Sequence, residues 1–254
     1  MMGFRVLLFK ELREQIRTAR LLAVSVVFLV FGMLGPVTDR YMKQIFDQFE
    51  SATYSALVPA PSLEGALLQI TQKLSQFGII CALLLTMGAV AWEKERGTAG
   101  MILTKPASRA AFLAAKLVAI SLTLGIATAL GAGIAYVYTQ ILYPTVFPLP
   151  GYVAMSVLMW WIMVEFTAIT LLGSTVTRSA IAAAGIGLVA MLVIGIAAAL
   201  PYIGVYMPSS LGDPGRAMAM GQDPGMFAGP LLFNLALVPA LFAATWLAFR
   251  RQEL

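Results

Sequence analysis

Six long apolar segments dominate the chain, and each is long enough to cross a lipid bilayer as a helix. They cover residues 21–37, 76–92, 110–142, 152–176, 180–200 and 230–249. The hydrocarbon core of a bilayer requires about 20 helical residues, within a range of roughly 17 to 25. Of the 254 residues only 11% are charged, whereas a typical soluble domain has about 25%. The sequence therefore predicts an all-α integral membrane protein with six transmembrane helices and no second domain.

Lysine and arginine are distributed unevenly between the two ends of these spans. If the N-terminus lies in the cytoplasm, 13 of the 17 basic residues fall on the cytoplasmic side. The outer side then carries the other four, Arg40, Lys43, Lys73 and Arg216. Short loops that are rich in Lys and Arg are retained in the cytoplasm. Both the N-terminus and the C-terminus are therefore predicted to be cytoplasmic.

Residues 1–20 are predicted to form an amphipathic helix at the membrane surface. Its apolar stripe consists of Phe4, Leu8, Leu12 and Ile16, joined by Leu7, and the basic residues lie on the other side. Such a helix sits among the lipid headgroups. A secretory signal peptide is the alternative, but the basic region is long and residues 35–42 offer no cleavage site with small residues. We favour a retained interfacial helix.

Two segments on the predicted outer side are long enough to carry structure of their own. Gly35 and Pro36 predict the end of the first span, and residues 38–75 are polar enough to leave the membrane. Within them, a helix that starts at Ser62 is expected. Residues 201–228 are rich in Gly and Pro and cannot form one regular helix. They are hydrophobic for an exposed loop, which leaves two readings: a loop that re-enters the membrane, or an irregular surface loop.

A polar island between the second and third spans, residues 93–116, reads EKERGTAGMILTKPASRAAFLAAK. Gly97 and Thr98 predict the end of the helix that arrives from the membrane, and Thr98 is a candidate N-cap for a short helix over 99–104. Pro106 ends this helix and Ser108 is a candidate N-cap for the next span. On charge alone, an ordinary basic loop would explain the island equally well.

The order of residues in this island resembles the corresponding loop of the ABC-2 type transporter permeases. The shared features are E-x-E-R-G-T, an apolar run, P-x-S-R and a lysine seven residues later. The resemblance is specific in 93–109 and extends over the rest of the chain only in layout. It implies that residues 1–254 form a single ABC-2 transmembrane domain, with 1–20 as its elbow helix and 93–109 as a cytoplasmic loop that carries the coupling helix. The residues that would couple to an ATPase are Glu93, Glu95, Arg96, Gly97, Thr98, Met101, Ile102, Leu103, Pro106 and Arg109.

The resemblance also implies partners and a function. Two copies of an ABC ATPase subunit and a second permease copy, identical or similar, would complete an exporter in the plasma membrane, with a prokaryotic inner membrane expected. ATP and Mg would be bound by the ATPase, so no cofactor is expected in this chain. Amphipathic drugs, peptides and lipids all fit as substrates, because the long outer segment 38–75 departs from the better-known lipid and polysaccharide members. A non-transporting assembly or sensor subunit is a further possibility.

Glu165 is the only acidic residue within a predicted span. A carboxylate inside a membrane is costly, so it must pair, face a cavity or be protonated. We therefore assign Glu165 to a substrate pathway, together with Met159 and Met163, which with Met155 form a stripe at helical spacing. A neutral acid that bonds to a neighbouring helix, through Thr167, Thr170 or a second copy, is the structural alternative. A secondary, ion-coupled transporter that uses Glu165 is the alternative function.

Several classes of function lack the residues that they require. The chain has no histidine and one cysteine, Cys81, so most zinc sites, histidine relays and intrachain disulfides are excluded. Thioether sulfurs suit Cu(I), which keeps a permease for copper-site maturation as a remote alternative, although the methionines are more simply apolar fillers. No P-loop or hydrolase motif occurs. The chain is therefore predicted to be no enzyme and to bind neither a metal nor nucleic acid.

Overall fold

The computed structural model describes residues 2–49, 60–97, 108–145 and 147–252, and these ranges are helical with short connections. The helices are α1 (Met2–Arg17), α2 (Arg20–Phe49), α3 (Leu63–Thr86), α4 (Ala91–Glu95), α5 (Arg109–Leu142), α6 (Leu149–Val176), α7 (Ala180–Ala198), α8 (Gly212–Ala219) and α9 (Ala228–Arg250). Two short 3₁₀ turns, Gly204–Tyr206 and Pro208–Leu211, lie between α7 and α8.

The described part of the chain contains six helical stretches that are long and apolar enough to cross a membrane. They are Arg20–Gln44, Leu63–Glu95, Arg109–Leu142, Leu149–Val176, Ala180–Ala198 and Ala228–Arg250. The all-α prediction with six spans is therefore confirmed. Ser62 and Ser108 are also confirmed as N-caps, since their hydroxyl oxygens accept hydrogen bonds from the backbone N–H groups of Gly65 and Ala111.

The prediction that Gly35 and Pro36 end the first span is wrong. Helix α2 continues through Pro36 to Phe49, and the first candidate span runs to Gln44, so residues 38–49 continue the helix of the first span. At the other end of this segment, the helix that begins after Ser62 runs without interruption into the second span. Neighbouring helices stabilise a proline-containing helix in a membrane protein by packing against it. Here α2 lies against both α3 and α5, which outweighs the backbone hydrogen bond lost at Pro36.

The core of the bundle is formed by α2, α3, α5 and α6, which share one buried cluster that includes Phe28, Leu74, Leu124 and Met163. The backbones of α2 and α5 meet directly at Gly32 and Gly131, where an added Cβ on Gly32 would collide with the carbonyl group of Gly131. Small residues permit this close approach between membrane helices. In contrast, α7 and α9 expose most of their apolar surface.

The bundle has two ends with different chemistry. We call the end that carries α1, α4 and residues 250–252 the terminal face, and the end that carries Ser62, Tyr143 and α8 the loop face. On the loop face, Asp39 of α2 accepts hydrogen bonds from the backbone N–H of Ser62 at 3.0 Å and from the hydroxyl of Tyr143 at 2.6 Å. Burial and the hydrogen bond to Asp39 raise the pKa of Tyr143, so this hydroxyl remains a donor.

The segment between α7 and α9 folds back along α6. Helix α8 packs on the first turns of α6, where Gly215 contacts Met155. Leu211 is buried against Ile162 and Phe166, roughly 20–25 Å along α6 from its first residue. This segment is therefore an ordered part of the bundle, and its entry into the membrane stays a prediction.

The second span is broken close to the terminal face. Its helix ends at Thr86, and α4 restarts at Ala91. The hydroxyl of Ser174 on α6 fills this break: its oxygen accepts hydrogen bonds from the backbone N–H groups of Val90 at 3.1 Å and Ala91 at 3.0 Å. The same hydroxyl donates to the carbonyl oxygen of Met87 at 2.9 Å. One fully buried side chain thus replaces helical hydrogen bonds that the break removes.

We expect Ser174→Ala to destabilise the protein, because two buried N–H groups would lose their acceptor. An unsatisfied buried donor costs about 1–3 kcal/mol, and the thermal unfolding midpoint of the purified protein in detergent measures the loss. Ser156→Ala is the matched control, since the Ser156 hydroxyl donates only to the carbonyl of Tyr152 in its own helix. Equal midpoints for the two variants would contradict the role of Ser174.

Candidate functional site: the charge cluster at the terminal face

A partly buried cluster of four charged side chains joins three helices at the terminal face. Lys116 of α5 is only 3% exposed. Its Nζ lies 2.9 Å from Glu93 Oε1 of α4 and 3.1 Å from Glu11 Oε1 of α1. Lys10 Nζ approaches the same two oxygens at 3.3 Å and 3.2 Å. We call Lys10, Glu11, Glu93 and Lys116 the charge cluster.

The charge cluster is electrically balanced, and this balance permits its burial. A buried charge costs several kcal/mol unless it is paired and hydrogen-bonded, and here two ammonium groups face two carboxylates. Burial lowers the pKa of Lys10, but the nearby charges of Glu11 and Glu93 outweigh burial and hold this pKa above its ordinary value. The contribution of Lys10 is therefore present at neutral pH and is lost only when the pH rises past that raised pKa.

Helix α1 is held by this cluster together with part of its apolar stripe, since Leu7 packs against a buried apolar cluster that includes Phe112. Glu11 and Gln15 are its buried residues, and α1 packs mainly on α5. Ile16, which the sequence places in the apolar stripe, is 66% exposed. This exposure leaves apolar side chains such as Phe9 and Ile16 available for lipid, while the contacts of Glu11 with Lys116 hold the other side of the helix against α5.

A second set of polar contacts fastens α4 and the start of α5 to the C-terminal end of the described chain. Lys94 donates to the carbonyl oxygen of Thr175 and to the Gln252 side-chain oxygen at 3.2 Å. Gln252 in turn donates to the Thr175 carbonyl at 2.9 Å. Arg109 donates through one nitrogen to three carbonyl oxygens at the end of α9, those of Phe249, Arg250 and Gln252. Cations favour helix C-termini because the last carbonyls there lack helical partners.

The predicted coupling residues fall into three groups. Glu93 and Arg109 point into the protein through the contacts above. Glu95 and Arg96 are exposed, and Gly97 follows with φ of +68°, a conformation that favours glycine. The helix therefore ends just before Gly97, as the sequence predicts. Thr98, Met101, Ile102, Leu103 and Pro106 lie outside the described residues.

The predicted pathway residues are buried within the chain. Glu165 and Met163 are 0% exposed and Met159 is 2% exposed. Neither carboxyl oxygen of Glu165 accepts a well-formed hydrogen bond from a described residue, and the indole of Trp161 is the polar group beside it. The hydroxyls of Thr167 and Thr170, the partners that the structural alternative suggested, donate to carbonyl oxygens of their own helix instead.

The methionine stripe of α6 contributes to the hydrophobic core. Met163 fits against Gly78 and Phe28, and its sulfur accepts a hydrogen bond from the Thr128 hydroxyl at 3.6 Å. Met155 contacts Gly215 of α8. Among the described residues, no group of three or more His, Cys, Asp or Glu side chains is placed to hold a metal ion. The stripe therefore behaves as adaptable apolar packing.

Sequence reasoning missed Glu11, Lys10, Ser174 and Gln252 as site residues. A signal for the first was present, because Glu11 is an acidic residue in a strongly basic helix and Lys116 is a lysine within a predicted span. Two unusual charges of opposite sign near the same membrane boundary indicate a pair. Ser174 and Gln252 act through contacts between distant parts of the chain, and nothing in the local sequence distinguishes them.

We expect Lys116→Ala to destabilise the protein strongly, because Glu11 would lose its buried partner. Breaking a buried pair by removing one member costs about 3–5 kcal/mol. Lys10→Ala, which removes a more exposed lysine from the same two carboxylates, should cost at most about 1 kcal/mol. Thermal unfolding midpoints of both variants measure the difference, and a midpoint for Lys116→Ala no lower than for Lys10→Ala would refute the cluster's role.

Comparison with known proteins places these features in a family. Over 253 residues, the chain is 25% identical to the uncharacterized transmembrane protein YxlG of Bacillus subtilis (strain 168), and the alignment covers 97% of each protein. The model of a family described as "ABC-2 family transporter protein" matches residues 5–215, from α1 through the first half of α8. The match includes the charge cluster, the broken second span and the first part of the segment folded along α6. The chain therefore belongs to the ABC-2 family of transporter proteins, as a multi-pass membrane protein.

Proposed function

We propose that the chain is the membrane subunit of an ATP-driven ABC-2 exporter, with its terminal face in the cytoplasm of a prokaryotic cell. A separate ATPase subunit, present in two copies, binds ATP and Mg and docks on the loop between α4 and α5. A second permease copy completes the pathway. The substrate is an amphipathic drug, peptide or lipid.

The observation that carries this proposal is the construction of α4. This short helix is separated from the rest of the second span by the break between Thr86 and Ala91, which Ser174 of α6 fills. It ends at the exposed residues Glu95 and Arg96. It is also fastened to α1, α5, α6 and the end of α9 through Glu93 and Lys94. A force applied to the loop would therefore reach several helices at once through defined contacts.

The mechanism follows from these contacts. When the ATPases close on ATP, they would move the loop after Gly97, and α4 would transmit this displacement through Glu93 to Lys116 on α5 and Glu11 on α1. The break next to Ser174 allows α4 to change its angle without bending α3. A tilt of the second and third spans would then switch the pathway between inward and outward access. ATP binding shifts the equilibrium only if the ATPase grips the two arrangements with different affinity.

We expect Arg96→Glu and Gly97→Pro to weaken co-purification with the Walker-motif ATPase by about tenfold or more, with normal membrane insertion. Arg96 is exposed and available to a partner, and proline cannot adopt the positive φ of Gly97. Arg13→Glu, which reverses an exposed charge on α1, is the matched control. Unchanged ATP-driven transport in both loop variants would rule out docking at this loop.

The second candidate function, an ion-coupled carrier that uses Glu165, rests on the burial of this carboxyl group, which accepts no well-formed hydrogen bond from the described residues. It predicts transport driven by an ion gradient in vesicles that contain this chain and no ATPase. The exporter predicts no transport in such vesicles until ATPase and ATP are supplied. The same assay therefore separates the two functions.

We expect Glu165→Gln to assemble normally and to change substrate range or turnover. Assembly is preserved because the amide has nearly the same shape as the carboxyl group and keeps an oxygen that can accept from the indole of Trp161. Size-exclusion elution and ATP-driven transport measure the two effects, with Glu64→Gln on the exposed start of α3 as the control. A variant that fails to assemble would show that the role of Glu165 is structural.

A further inference from the structure

The loop face carries two adjoining clefts of different character. The first, the membrane cleft, has a volume of about 290 Å³ and lies between α3, α6 and α7. Its deeper wall is apolar and includes Ile79, Phe166, Met191 and Ile194. Its rim is polar, with Gln72 and Ser75 of α3, Ser209, and Arg216 of α8. An apolar interior with a few polar groups at one end is typical of a site for an amphipathic ligand.

The second cleft, the loop cleft, lies between the end of α7 and the start of α9, and its volume is about 600 Å³. It is lined by Tyr202, Ser209, Ser210 and Asp213 among others. Ser209 contributes to both clefts, so the two spaces meet at this residue. A single molecule can therefore place an apolar part in the membrane cleft and a polar part in the loop cleft.

The charges at this junction select the type of headgroup. Among the described lining residues, Arg216 is the one charged side chain of the membrane cleft and Asp213 the one charged side chain of the loop cleft. The two form an ion pair with each other, and the Asp213 side chain is 80% exposed. The pair has no net charge, so it offers no net attraction to an anionic headgroup. A zwitterionic headgroup can replace this one ion pair by two new ion pairs, one between its phosphate and Arg216 and one between its ammonium group and Asp213.

We propose that the membrane cleft and the loop cleft together bind one zwitterionic phospholipid with a primary ammonium group, of the phosphatidylethanolamine type. The acyl chain lies against Ile194 and Phe166, the phosphate binds Arg216, and the ammonium group binds Asp213. Ser209 lies where the part of the site that holds the acyl chain meets the part that holds the headgroup. This binding needs no ATPase and goes beyond the exporter function, so it stands or falls independently of it.

The test is a titration of the purified, delipidated full chain in detergent, followed by native mass spectrometry. The probes are dioleoyl-phosphatidylethanolamine, dioleoyl-phosphatidylglycerol and the water-soluble headgroup phosphoethanolamine. We expect phosphatidylethanolamine to bind about tenfold tighter than phosphatidylglycerol, and the headgroup alone not to bind. Equal affinity for the two lipids would overturn the assignment of the headgroup. Binding of phosphoethanolamine as tightly as the lipid would overturn the assignment of the chain region.

Matched variants separate the two halves of the site. Ile194→Trp fills the membrane cleft and should weaken phosphatidylethanolamine binding about tenfold, whereas Ile196→Trp, at a 69% exposed position of the same helix, should leave it unchanged. Asp213→Asn should abolish the preference for phosphatidylethanolamine over phosphatidylglycerol. Arg216→Gln should weaken the binding of both lipids. Arg40→Gln, an exposed position outside both clefts, is the charge control.

Two outcomes would contradict the site directly. If Ile194→Trp binds phosphatidylethanolamine as tightly as the wild type, the membrane cleft does not hold the acyl chain of the lipid. If Ile194→Trp instead separates a dimer and the wild type binds no lipid, the cleft is a contact between two copies. Should Arg216→Gln aggregate, Asp213→Asn still tests the headgroup, because its side chain is mostly exposed and its loss leaves the packing intact.

Discussion

The structure depends on the pairing of charges where they cannot be hydrated. Lys116 is buried on α5, and an isolated ammonium group in that position would be prohibitively costly. Its two carboxylate partners, Glu11 and Glu93, lie on two different helices, so α1 and α4 must both pack beside α5 before the charge of Lys116 is paired. This requirement fixes the rotation of α1, the direction of α4 and the position of α5 relative to both. Apolar packing alone would leave these orientations poorly specified, since lipid and neighbouring helices offer side chains similar surroundings.

A second constraint acts on the backbone. Within a membrane, every backbone N–H and carbonyl group needs a partner inside the protein. The second span interrupts its own helix between Thr86 and Ala91, and one hydroxyl from α6 supplies the missing partners. The loop face solves a related problem at the start of α3, where Asp39 and Ser62 together bind the first free N–H groups. At both of these places a polar side chain from another helix binds the backbone where the regular helix is missing.

The sequence predicts the number and approximate position of the spans well, because hydropathy over a 20-residue window averages out local detail. It predicts the caps at Ser62 and Ser108 because capping is a local interaction. It fails at Pro36, where the preference of one residue is outweighed by packing against α3 and α5. It does not predict the ion pair between Glu11 and Lys116, because these two residues lie more than 100 positions apart in the sequence. Of the suggested coupling residues, Glu93 and Arg109 bind to other helices of the protein, and no local sequence pattern predicts such contacts. Their role in coupling stays a prediction.

The attachment of residues 249–252 to Arg109 has a practical consequence for handling this protein. The C-terminal end of the described chain is held beside the start of α5 by hydrogen bonds from Arg109 and Lys94. A fluorescent protein or affinity tag joined there would emerge next to the surface proposed to receive the ATPase. Such a fusion would compete for space with the partner, and a reporter inserted in a different part of the molecule would leave that surface open.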